Sequence, residues 1–237
     1  MKLAKSGALD DSIIIGRQKI SRMLNLNKGS GNLLGDIEEL SKETGFGVRE
    51  TPISVIQSTK IVNPGYSTGK PEYTNNCFSA VTADVVNRIN NGKGLMCQAR
   101  EATVDEIKNG GMTFNNVAKV WKNSSIDDIA ISKDALKDTE SIKNNLSDKI
   151  KNYCKSDSGI GLIRIKSAIT SSSGHFLKFE IKNGEVFLSD SQSGTMTKVD
   201  RYLNAIATGK LSRGIEILNC DGLEIDPRAL TQIVKSL

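Results

Sequence analysis

At 237 residues, with 38% hydrophobic and 25% charged positions, the chain is long enough to bury a substantial core and polar enough to fold in water. Its net charge of +5 arises from lysines and acids that alternate along the whole length, and aromatics make up only 5%, which argues against nucleic acid as a partner and for a solvated surface. No apolar run approaches the roughly 18 residues of a membrane span, and "MKLAKSGALDDSIIIG" meets acidic residues before a secretory core develops, so neither signal peptide nor membrane partner is expected.

In chain order, residues 1–60 read as a helical extension. "DDSIIIGRQKISRMLNL" carries Ile13, Ile14, Ile20, Met23 and Leu24 near helical spacing, and "LLGDIEELSKETG" offers a second short helix. "IVNPGYSTGKPEY" is dense in turn formers and opens a main domain over 61–237. A helix over 77–91 follows, with Phe78, Val81, Val85 and Ile89 on one stripe and Gly92 at its stop. "ATVDEIKNGG" and "MTFNNVAKVWKN" predict further short helices, and the polar, lysine-rich stretch 123–158 reads as an insertion of exposed helices. From residue 159 the period changes to two: "GIGLIRIKSA", "GHFLKFEIK", "GEVFLSDS" and "GIEILNC" predict strands, with helices over "KVDRYLNAIATG" and "PRALTQIVKSL". Helices followed by an antiparallel set of strands make the fold class α+β.

Asn183-Gly184, between two strand-like runs, is the preferred pair for a two-residue type I′ turn and fixes a hairpin register. Pairing Lys182 with Glu185 sets Leu177 opposite Asp190 and His175 opposite Gln192. His175, Leu177, Phe179 and Ile181 then share a face with Val186, Leu188, Asp190 and Gln192. His175 and Asp190 become diagonal neighbours, roughly 7 to 8 Å apart at the backbone, a gap their side chains can bridge. A carboxylate on one ring nitrogen leaves the other to take a proton. A histidine at a strand start and an aspartate in a turn are each, taken singly, more often structural than catalytic.

Cys77 changes that balance. Asn75 or Asn76 is a suitable N-cap, placing the thiol in the first turn of a helix, where free N–H groups and the dipole favour thiolate. A nearby imidazole would lower its pKa further, and His175 is the single histidine of the chain. The other three cysteines, Cys97, Cys154 and Cys220, read as buried structural thiols. No C-x-x-C pair or histidine cluster accompanies them, so no metal site, cofactor or disulfide framework is expected.

From "VNPGYSTGKPEYTNNCFSAVTADVVNRINNG" to "GHFLKFEIKNGEVFLSDSQSG" the chain resembles the papain-fold toxins (Tox-PL) of bacterial polymorphic toxins, which also occur beside Mu-type phage minor head proteins. The shared motifs are N-C before a helix, G-H on a strand and D-x-Q-x-G after the next strand. The resemblance implies a papain-like α+β fold, with N-terminal helices and the nucleophile at a helix start packed on an antiparallel sheet carrying His and Asp. It also implies that Cys77 is nucleophile, His175 base and Asp190 orienting carboxylate, with Asn76, Gln192 and Gly194 in support. The implied activity is hydrolysis of amide bonds in a protein substrate through a thioester, as a glutamine deamidase or a peptidase; acyl transfer of transglutaminase type uses the same triad. The expected setting is cytoplasmic, or that of a delivered effector or virion-associated protein, with phage head or toxin-delivery proteins docking on residues 1–60. The alternative is a phage or prophage structural protein that uses the fold as scaffold or cargo.

Overall fold

The computed structural model describes residues 62–89, 97–167, 174–193 and 197–236. The extension 1–60, the helix stop at Gly92 and the motif residue Gly194 lie outside them. A five-stranded antiparallel sheet organises the chain. Its strands are β2 (Asp127–Ala130), β3 (Gly159–Ser167), β4 (Gly174–Lys182), β5 (Glu185–Ser189) and β6 (Leu211–Asn219), in the order β2-β6-β3-β4-β5. Helices cover both faces, so the α+β class read from the pattern of periods holds.

On one face lies α2 (Cys77–Ile89), preceded by the single-turn α1 (Pro71–Thr74) and joined by the short α3 (Val104–Lys108), α4 (Phe114–Ala118) and α7 (Pro227–Ile233). A separate ladder of β1 (Cys97–Ala99) and β7 (Val234–Ser236) pairs Cys97 with Ser236. Phe78, Val81, Val85, Phe114, Trp121, Leu162, Phe176 and Leu218 meet in this first core. On the other face, α5 (Thr139–Cys154) and α6 (Thr197–Ala207) set Ile142, Leu146, Ile150, Leu203 and Ile206 against Ile163, Leu177, Phe179 and Ile217.

Three differences from the sequence reading have physical causes. The stretch 123–158 contributes β2 at the sheet edge, and its helix buries Ile142, Leu146 and Ile150 completely; three apolar residues at helical spacing suffice to dock an otherwise polar helix. The C-terminal run is a helix only to Ile233, where the backbone turns extended and Val234 joins the ladder with Ala99. Helix α2 is buried all round from Cys77 to Asn87, so its polar residues need partners. Thr82 back-bonds to the Phe78 carbonyl, and Asn87 exchanges two 2.9 Å bonds with the Cys97 backbone.

The hairpin register is as read, with Lys182 opposite Glu185 and Lys178 opposite Ser189. Asn183 and Gly184 both take positive φ, at 50° and 75°, as a type I′ turn requires. Among the described residues no helix is long and apolar enough to cross a membrane.

Candidate active site

The site lies where α2 and β4 begin. The Asn76 carbonyl accepts from the N–H groups of Ser79 and Ala80, at 3.0 Å each, making Asn76 the N-cap residue by backbone. Its side chain does not cap the helix. Both amide hydrogens are committed, to Asn63 Oδ1 at 3.1 Å and the Arg100 carbonyl at 3.0 Å, so Asn76 braces the loop and cannot double as an oxyanion donor. Asn75 belongs to the preceding turn, bonded to the Pro71 carbonyl. The N–H groups of Cys77 and Phe78 precede the first intrahelical bond and remain as the dipole's positive end.

Strand β4 brings the imidazole. A Cβ on Gly174 would lie 2.6 Å from the Ile165 carbonyl oxygen, so the glycine of the G-H pair lets β4 start tight against β3. The next residue, Phe176, packs edge-on against Phe114 in the first core, at 5.3 Å and 82°. His175, on the opposite side of the strand, is 7% exposed. Its Nε2 stands 3.2 Å from Asp190 Oδ1, the contact expected from the hairpin register. The other ring nitrogen is free of Asp190, and the His175 side chain and the Phe176 backbone are the neighbours that act on the Cys77 thiol. Sulfur, imidazole and carboxylate thus form one connected row.

Asp190 is itself held. Its Oδ1 accepts from the Gln192 N–H at 3.1 Å and its Oδ2 from the Ser193 hydroxyl at 2.7 Å. Gln192 reaches Asn76 Oδ1 at 3.4 Å, tying the carboxylate turn to the residue before the cysteine. Two further residues of the site were not apparent in the sequence. Asn63, 6% exposed, places its amide nitrogen 3.0 to 3.1 Å from the carbonyls of Tyr73 and Gln192 and from Asn76 Oδ1, sharing its two hydrogens among them and joining the stretch before the cysteine to the distant Gln192. Tyr202 stacks on the His175 ring, with centroids 3.9 Å apart and planes 12° from parallel. Only Tyr202 left a trace in the sequence, as a member of the helical stripe Val199, Tyr202, Leu203, Ile206.

The electrostatics follow from these contacts. Burial pushes the Cys77 thiol up, but the hydrogen bond and charge of His175 and the Phe176 N–H outweigh it and leave the thiol below its ordinary value. Burial disfavours a charged His175, yet its bonds to Asp190 and Cys77 win and raise it to about 9. Burial raises the Asp190 carboxyl, and His175, Ser193 and the Gln192 N–H more than reverse this. Buried Cys97 and Cys220 have no such partner and are pushed up, and half-buried Cys154 rises to about 11. Among the described residues no group of His, Cys, Asp and Glu could hold a metal ion. No known protein family, curated protein or solved structure matches the chain.

Proposed function

We propose that this chain is a papain-like cysteine hydrolase of toxin or effector type, cleaving amide bonds in a protein substrate as a glutamine deamidase or peptidase. The observation that carries the reading is the row Cys77, His175, Asp190, in which a buried thiol is made more acidic than in water by a buried imidazole that a carboxylate orients. The lowered thiol and the raised imidazole both favour the thiolate and imidazolium form of the pair. The Cys77 thiolate attacks the amide carbonyl, and the oxyanion forms beside the N–H groups that open α2, each good donor being worth about 3 to 4 kcal/mol. His175 gives its proton to the departing nitrogen as the C–N bond breaks, leaving a thioester on Cys77. Neutral His175 then takes a proton from water, the hydroxide attacks the thioester, and the thiolate leaves. Asp190 keeps the ring in the tautomer that serves both steps. The resemblance in the N-C, G-H and D-x-Q motifs supports the same assignment.

Iodoacetamide labelling at about pH 6, well under the ordinary thiol value of about 8.5, tests the site. Cys77 should be alkylated rapidly and alone, and Cys77→Ala should lose the reaction. Uniform slow labelling of all four cysteines would remove the basis of the proposal. Intact-mass analysis of incubated candidate proteins separates the two activities: a unit gain in mass marks deamidation, and fragments mark proteolysis.

A further inference from the structure

Among the described residues the Tyr202 ring is the one aromatic surface laid flat on the imidazole. On the proposed mechanism His175 must serve two partners, the Asp190 carboxylate held at Nε2 and the Cys77 sulfur through its other nitrogen. Rotation about the bond joining ring and Cβ breaks both contacts at once, and for histidine that torsion is intrinsically broad. A parallel ring at 3.9 Å closes off the rotation from one side. Tyr202 can do this because α6 is anchored by fully or nearly fully buried neighbours: Val199, Leu203 and Ile206 hold the same face against the second core.

The contact also bears on charge. An aromatic face is negative, so it attracts a cation lying over it, and a neutral imidazole gains much less. We propose that Tyr202 is the positioning residue of this site, its ring holding the imidazole between sulfur and carboxylate and favouring imidazolium over the neutral ring. The groups facing the imidazole are the Cys77 thiol from α2, the Asp190 carboxylate after β5 and the Tyr202 ring from α6. The Tyr66 phenol and the Arg201 guanidinium act on Tyr202 in turn. Burial pushes the Tyr202 phenol well up, so the ring acts as a neutral face and contributes no phenolate. The inference rests on the cysteine-hydrolase reading for its catalytic meaning, and its acid-base consequence is measurable without a substrate.

Because His175 is the single histidine, its ring protons give one resolvable pair of NMR signals. In the native protein these should lie upfield of ordinary imidazole positions, displaced by the Tyr202 ring current, and titrate near pH 9. Tyr202→Phe, which keeps the face, should titrate as the native protein does. Tyr202→Leu should lose the ring-current displacement and lower the titration midpoint by about half to one and a half units. It should also raise the midpoint of Cys77 alkylation by a similar amount. Native ring protons at ordinary positions, or a Leu variant titrating with the native midpoint, would overturn the proposal. Should the Leu variant fail to fold, Tyr202→Met and the native ring-current measurement decide it in the same way. Slow native alkylation of Cys77 beside a displaced, high-titrating His175 would instead count against the hydrolase reading and leave the role of Tyr202 standing.

Discussion

A sulfur enclosed by protein is normally a weaker acid than one in water, as Cys97, Cys154 and Cys220 are. Cys77 moves the other way because a single imidazole stands beside it, and that imidazole is basic because Asp190 and the sulfur both favour its charged form. Replacing Asp190 by Asn removes one of these influences. His175 should then fall from about 9 toward 6.5, and the alkylation midpoint of Cys77 should rise, read as rate against pH with iodoacetamide. If the chain acts as the proposed hydrolase, turnover should decline as pH rises through about 9, where His175 loses the proton that the mechanism gives to the leaving nitrogen. For folding the sign is the same: raised in the native state, the imidazolium stabilises fully below 6.5 and that contribution fades as pH rises through about 9. The Asp190 contribution fades at the opposite end, as pH falls through its lowered native value. His175 and Asp190 were legible as a pair because Asn183-Gly184 pins the hairpin, so arithmetic on residue numbers becomes geometry. Asn63 and Tyr202 were not, since each acts through contacts with segments far along the chain.

Helix α2 and strand β4 carry the sulfur and the ring, and beside the apolar contacts of the first core two ion pairs join them. Lys178 and Asp84, 1% and 0% exposed, pair at 2.7 Å between them, and Asp84 Oδ2 also accepts the Ser191 hydroxyl at 2.7 Å. One turn further along, Arg88 meets Glu180 at 2.7 Å. Burying such a pair adds little net stability, but removing one partner strands a charge. Asp84→Ala should cost about 3 to 5 kcal/mol in urea unfolding, and Asp84→Leu combined with Lys178→Met should recover most of it. Failure of the double replacement to recover stability would show that the Ser191 contact dominates instead. Element type was readable wherever the period was sustained, as in the nine residues of β4. It was not readable for β1, three residues long, or for β2, whose Asp127-Asp128 start disfavours a strand by propensity; both exist because a neighbouring strand offers backbone partners.

At the scale of the molecule, one sheet separates two cores, and every central strand serves both. Ile163 and Leu162 are adjacent in β3, yet each is fully buried in a different core. The α+β class followed from the order of periods, but the double coverage did not, because the helix that closes the second core is mostly polar. A shared sheet predicts one cooperative transition: fluorescence of Trp121, in the first core, and far-UV circular dichroism should give the same urea midpoint. Leu146→Ala, in the second core, should move both midpoints together at a cost of about 2 to 5 kcal/mol. Separate shifts would mean that the layers unfold independently.

The separation of sulfur and ring along the chain has a consequence for the making of the protein. Cys77 is synthesised long before His175, and until β4 docks beside α2 the thiol has no base at its side and the chemistry of any ordinary cysteine. The lowered thiol therefore depends on the docking of β4 beside α2, and a copy in which that docking has not formed or is lost carries an ordinary cysteine there.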